Sequence, residues 1–387
     1  MNFAGELAGA WALMLAVIAV TAGLARCLPF YQRELAVGQR ELALDGLRGL
    51  AALMVMTHHS FHFHRWLTTG IWGNAGNGPL QLMGPAGVII FFMLTGHLFW
   101  GKARAANGKL NAWKLWRGRL LRIAPLYFFG LLAVLLVAMF QAGSQWLAPG
   151  NWPALLRLLP LGAVDWRLVG GVDLGSFNAD VVWTLWYEWR FYLLLPLLAW
   201  FAAGRRIIFP ALLLYLLSFT GILFGPKMEF VLVFFLGTLC PLLVGNQKLR
   251  ARLRHPATAV TALAWLAGTC AWSHWNLSGI LLASAFFPVF LAAAAGNGFF
   301  GCLSHPATRC LGAISFSLYL LHGVIFHLVI GAMKTGGLTT LTSLEYWFAA
   351  SLTAMATALL CAGTYRWIEF PFLSASHKNK NQPTASA

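Results

Sequence analysis

In the stretch LDGLRGLAALMVMTHHSFHFHR, residues 44–65, Asp45 and Arg48 stand at one end of an apolar run and His58, His59, His62 and His64 crowd the other. Imidazole, with an ordinary pKa of about 6.5, suits general acid–base work near neutral pH. A guanidinium beside a carboxylate can pair with it or steady developing negative charge. On a helix, the eleven positions from Arg48 to His59 turn through about 1100°, three turns plus about 20°, and rise about 16 Å. The two therefore share a face. Asp45 lies one turn before Arg48 near the same stripe, His62 falls about 40° off it, and His58 points about 100° away from His59. Ionisable groups inside a membrane span are costly unless they pair or face a wet cavity, so this polar line is read as functional. The plainer account is an Asp45–Arg48 pair snorkelling at the interface with the histidines in the headgroup layer, which leaves the alignment to chance.

Other ionisable residues interrupt apolar runs in the same way. Glu188 and Arg190 lie within WTLWYEWRFYLLLPLL; a spacing of two puts them on different faces, so Glu188 needs a cation from another helix, or a proton. In WRGRLLRIAPLY, Arg119 and Arg122 stand one turn apart where a helix is expected to begin, with Lys114 and Arg117 close by. Arginines at a helix N-terminus make a ready phosphate site; the plainer account is a basic membrane anchor. GHLFW contributes His97, and SFSLYLLHGVIFH contributes Tyr319, His322 and His327. A lone intramembrane histidine is most often a helix–helix hydrogen bond, and His97 and His327 are read that way.

Membrane helices have to position all of these groups. Of 387 residues, 59% are hydrophobic and 10% charged, and the mean hydropathy is +0.70. A soluble protein carries about a quarter charged residues. Long apolar runs recur from end to end, so the expected fold is an all-α polytopic integral membrane protein. About eleven runs approach the length that crosses ~30 Å of hydrocarbon: roughly 7–28, 43–63, 84–101, 120–141, 181–203, 206–224, 229–244, 256–274, 276–296, 310–332 and 345–368. With the N-terminus outside, one side receives Arg26, Arg33, Arg40, the run Lys102 to Arg122, Arg205, Arg206, the run Lys248 to Arg254, Arg309, Arg366, Lys378 and Lys380. The other side receives only Arg65, Arg157, Arg167, Lys227 and Lys334. That bias predicts an N-out, C-in topology.

The same bias accounts for the net charge of +16 and removes the case for nucleic-acid binding, since no soluble basic module is present. The six cysteines are scattered with no Cys-x-x-Cys, so neither a disulfide framework nor a thiolate metal site is expected. The first thirty residues lack a basic leader and carry Glu6 before the apolar run, so they are read as a retained span rather than a signal peptide. The longest polar interruption, 142–180, is either a lid or a plain connector. Residues 374–387 are expected to be a disordered cytoplasmic tail.

Taken together, the motifs resemble the membrane-bound acyltransferase 3 family, which includes O-antigen and exopolysaccharide O-acetyltransferases. LDGLRGLAALMVMTHH is similar to the family's arginine, ten residues, histidine signature, here Arg48 to His59. GVIIFFMLTGHL, RLLRIAPLY, WTLWYEWRFYLLLPLL, LGAISFSLYLLH and RWIEFPF resemble five further family segments, in family order, over about residues 41–373. The chain departs from the pattern at Thr95, His97, Phe316 and Arg190, where Ser, Phe, Tyr and Gln are usual. The resemblance implies a ten-helix acyltransferase domain at 41–373, preceded at 1–40 by an extra helix and a cytoplasmic linker, in a bacterial inner membrane. It implies transfer of an acyl group, most often acetyl, from cytoplasmic acyl-CoA to a hydroxyl of a cell-envelope carbohydrate or glycolipid. No metal is expected. Because the chain ends soon after RWIEFPF, transfer is expected to finish within the membrane domain or on a partner. On this scheme His59 is the base, Glu188 orients or balances it, Arg48 pairs with Asp45 or steadies negative charge, and Arg119 and Arg122 meet the CoA phosphates. Trp183, Tyr319 and His322 are expected to contact substrate.

Two readings from other classes compete. A haem or metal electron-transfer protein would use the His58–His62 pair, whose i, i+4 spacing suits a metal. A transporter or flippase of a sugar-lipid would use the same polar line without covalent chemistry. An ester whose formation depends on acyl-CoA separates the enzyme from both.

Overall fold

The computed structural model describes residues 3–36, 41–73, 78–143, 148–163, 168–200 and 229–378. Helices dominate: α1 Phe3–Cys27, α2 Pro29–Ala36, α3 Leu42–Thr69, α4 Pro79–Ala105, α5 Ala112–Ala142, α6 Trp152–Leu156, α7 Leu174–Phe177 and α8 Trp183–Trp200. They continue as α9 Glu229–Leu243, α10 Gln247–Arg254, α11 Pro256–Trp272, α12 Gly279–Ala295, α13 Pro306–Ala313, α14 Ser315–Thr335, α15 Ser343–Thr364 and α16 Phe370–Lys378. A π turn, Tyr365–Glu369, joins the last two. The 142–180 interruption carries α6, α7 and a two-residue antiparallel hairpin, Leu168–Val169 with Val172–Asp173. Tyr127 donates to Leu158 O at 2.7 Å and Trp189 to Leu161 O at 3.0 Å, so this segment is pinned to α5 and α8.

Among the described residues, five helices are long and apolar enough to cross a membrane: Ala4–Cys27, Pro79–Ala105, Ala112–Gln141, Ser315–Thr335 and Ser343–Ala375. A sixth arises if Leu232–Leu243 and Gln247–Arg254, bent by 109°, form one broken span. Most runs expected from sequence overlap a single helix in the described residues, but 310–332 is divided between α13 and α14 at Ile314, and 206–224 lies outside the described residues. The helix α3 has the length, 28 residues, but its charges and histidines lower its hydropathy.

Cross-helix contacts fix the directions. Gly87 packs on Ala51 and His62 bonds Gln81, so α3 and α4 are antiparallel. Arg48 reaches Gly312, His59 reaches His322 and Lys334 reaches Trp66, so α14 follows α3 in parallel. Arg48, Lys102, Arg104, Arg119, Arg122 and Arg254 consequently gather toward one end of the bundle. Glycine makes the closest approach possible: a Cβ on Gly312 would lie 2.1 Å from Asp45 O. That contact lets Gly312 O accept from Arg48 Nε at 3.1 Å and Nη2 at 2.7 Å.

The N-terminal helix α1 is built into the bundle. Buried Glu6 lies 3.2 Å from His64 Nδ1 and accepts from Ser343 Oγ at 2.8 Å and Trp347 Nε1 at 2.9 Å. It thereby ties α1 to α3 and α15. Farther along, Tyr31 donates to Ala362 O at 2.7 Å and Tyr365 to Glu34 at 2.9 Å. Removing one partner of a buried polar pair costs on the order of 3 kcal/mol. Glu6→Ala is therefore expected to lower the melting temperature of detergent-solubilised protein, measured by tryptophan fluorescence; an unchanged midpoint would show that α1 is held by apolar packing alone.

Candidate active site

Two adjoining cavities run between α3, α4, α8 and α14. The first, about 130 Å³, is lined by Arg48, Arg119, Arg122, Glu188, Tyr192 and Thr184 among others. The second, about 280 Å³, is lined by His58, His59, Gly84, Trp183, Phe230 and Ser278 among others. Arginines thus furnish one chamber and imidazoles the next. The α-helical rise between Arg48 and His59, about 16 Å, sets the distance along the pair.

The arginine chamber is braced from three helices. Arg119 lies over the Phe99 ring at 4.8 Å and the Tyr192 ring at 5.7 Å, a cation–π placement that fixes the guanidinium. Arg122 Nη1 meets Glu369 Oε2 at 3.2 Å and lies over Phe316 at 5.4 Å. Glu369 also accepts from Ser317, which in turn accepts from Thr364 at 2.8 Å. Tyr192 donates to Glu188 at 2.7 Å from one turn along α8. Arg48 Nη2 stands 3.7 Å from Asp45 Oδ1. The expected helix-terminus phosphate site is not what holds these arginines: α5 starts at Ala112, where Asn111 accepts from Lys114 N at 2.8 Å. Arg119 and Arg122 sit about two and three turns further in and line the cavity from the side.

In the histidine chamber the hydrogen bonds determine which nitrogens carry protons. His322 Nδ1 lies 2.8 Å from Leu318 O, and a carbonyl only accepts, so Nδ1 carries hydrogen. In the neutral ring Nε2 is then an acceptor. His59 Nδ1, 2.9 Å from His322 Nε2, must therefore donate. That leaves His59 Nε2 with a lone pair. His58 is held differently: its Nδ1 donates to Leu80 O at 2.9 Å, and its ring fills space that a Cβ on Gly84 would take, 2.4 Å from Cδ2. His62 bonds Gln81 at 3.1 Å.

The acyltransferase-domain family model matches residues 41–363. The chain belongs to the acyltransferase 3 family. No curated protein and no solved structure matches it. The matched region begins after α2, so the chambers lie within it and α1 lies before it.

In this acyltransferase, Arg48, Arg119, Arg122 and Glu188 come together, while His59 and Trp183 belong to the neighbouring chamber and Tyr319 borders both. Glu188, expected beside His59, lines the arginine chamber instead; His322 takes the place next to His59. His322 is fully buried behind His59 and lines neither cavity. His97 Nε2 lies 3.4 Å from Glu41, and His327 bonds Gln141 at 3.1 Å, the helix-joining parts expected of them. Sequence reasoning missed Glu369 as the partner of Arg122. Its signal was present, a lone carboxylate in the apolar RWIEFPF, but only the fold shows which cation answers it. Because a glutamine oxygen can accept the His59 proton and a phenyl ring cannot, His322→Gln is expected to keep a measurable share of acyl transfer. His322→Phe is expected to lose it by roughly 100-fold, the scale of a misplaced general base. Equal kcat in the two variants would rule out a tautomer-setting role.

Proposed function

We propose that this acyltransferase moves a short acyl group, acetyl in the first instance, from acyl-CoA to a hydroxyl of a cell-envelope carbohydrate or glycolipid. The observation that carries the proposal is the pairing of a chamber of arginines with a chamber holding an imidazole whose Nε2 is unprotonated. Guanidinium groups match phosphate oxygens in geometry and charge, so Arg119 and Arg122 are assigned the phosphates of the CoA donor, with Glu369 fixing Arg122. Arg48 borders the same donor site, with Asp45 3.7 Å from its Nη2, and offsets negative charge there. Glu188, bonded to Tyr192, balances the cluster of cations.

The acceptor hydroxyl sits at His59. Its oxygen attacks the thioester carbonyl while His59 Nε2 takes its proton; the carbon–sulfur bond then breaks, and the thiolate of CoA leaves with that proton. The products are an oxygen ester and free CoA. Trp183, half-exposed at the mouth of the histidine chamber, offers a ring face to the acceptor sugar. The excess of basic residues at the arginine end supports a cytoplasmic orientation for it, with the N-terminus outside and eleven spans in a bacterial inner membrane. The catalytic region corresponds to 41–373.

The test uses inverted membrane vesicles and radiolabelled acetyl-CoA, comparing wild type with His59→Ala. Label entering the glycan fraction with wild type and not with His59→Ala is the expected result. Equal labelling would remove His59 as the base. No labelling by wild type in membranes supplied with acceptor would turn attention to a sugar-lipid transporter. Arg122→Ala is expected to raise the KM for acetyl-CoA by about tenfold or more, the loss of a charge-assisted bond, with a smaller change in acceptor KM. An unchanged donor KM would move the donor site elsewhere.

A further inference from the structure

Val88 of α4 and Tyr319 of α14 line both chambers. Each is almost fully buried, and Tyr319 is held at both ends. Its hydroxyl donates to Val181 O at 3.1 Å and lies 2.9 Å from Thr184 Oγ1 at the start of α8. Thr184 is itself fastened to Val181 O at 3.1 Å. The Tyr319 ring meets Phe91 edge-on, with centroids 5.6 Å apart. Val88, branched at Cβ on a helix, has one strongly preferred rotamer. Neither side chain can swing aside without breaking bonds or packing.

A donor anchored among the arginines has to present its acyl carbon to a hydroxyl at His59, on the far side of these two side chains. Resting on the transferase reading above, we propose that Val88 and Tyr319 form a neck that selects the acyl group by cross-section rather than by length. An unbranched chain has the same width whether it has two carbons or four, so lengthening it asks only for room in the larger chamber. A methyl group on the carbon next to the carbonyl widens the chain where it must pass the neck. The acyl class taken is therefore short and unbranched, and acyl groups branched at that carbon are rejected. One surplus methyl in a close-fitting apolar site is worth roughly 10- to 200-fold in kcat/KM.

n-Butyryl-CoA and isobutyryl-CoA have the same composition and differ in width at that carbon. Transfer from each into the endogenous glycan fraction is measured in vesicles carrying full-length wild type, Val88→Ala or Val88→Ile, with acetyl-CoA in parallel. The expected wild-type preference for n-butyryl is roughly tenfold or more. Val88→Ala should shrink the ratio and Val88→Ile should enlarge it, and because the two changes act in opposite directions, general loss of fold cannot mimic them. Tyr319→Leu provides a second opening of the neck. A wild-type ratio near one, or a ratio unmoved by both Val88 variants while acetyl transfer proceeds, overturns the neck and leaves the transferase intact. Failure of wild type to transfer acetyl at all overturns the transferase reading and the neck with it.

Discussion

A polar side chain placed among apolar helices has to be answered by another helix, and that constraint organises the whole bundle. Arg48 is answered by Gly312 O on α13, Arg122 by Glu369 in the π turn, Glu6 by His64, Ser343 and Trp347, and His59 by His322. Each of these pairs joins segments far apart in sequence. The apolar surface between them packs without strong direction, so the polar pairs are what set the register of one helix against the next. Small residues permit it: without glycine at 312 the start of α3 would stand off, and Arg48 would lose its carbonyl.

The same constraint links architecture to chemistry. In an imidazole pair that ends on a backbone carbonyl, hydrogen direction is determined from the carbonyl outward. Thus α14, through Leu318 and His322, fixes the state of a nitrogen on α3. The arginines are arranged by aromatic faces and by a single carboxylate, which keeps two cations close while preserving room between them. Both arrangements depend on α14 running alongside α3 and α5, a packing that brings residues 48, 122 and 319 to one set of walls.

Much of this was legible in the sequence. The polar stripe on α3 follows from helical geometry alone, and the ionisable residues at 119, 122 and 188 stood out within or beside apolar runs. The all-helical character followed from the apolar runs, though not the break at Ile314 that divides one of them. What sequence did not yield was partnership. The residues alone asked for a cation from another helix to answer Glu188, and the arginines supply it; the role beside His59 that the resemblance implied is not where α8 places it. The helix expected to begin at Arg119 begins earlier because Asn111 caps it, and no apolar run reports a cap in amphipathic surroundings. His322 and Glu369 became meaningful only when the residues they face were known, since sequence spacing carries no information across several hundred positions.

The wall common to the two chambers has one more consequence. If a bilayer has the arginine end on one side and the histidine end on the other, two cavities in series lie along the path across it. Ions and protons would run down it if water threaded through. Val88 presents only hydrocarbon there, while the hydroxyl of Tyr319 is engaged by Val181 O and by Thr184, which itself lines the arginine chamber. Of the two side chains that border both chambers, Val88 is therefore the one that sets only hydrocarbon between them.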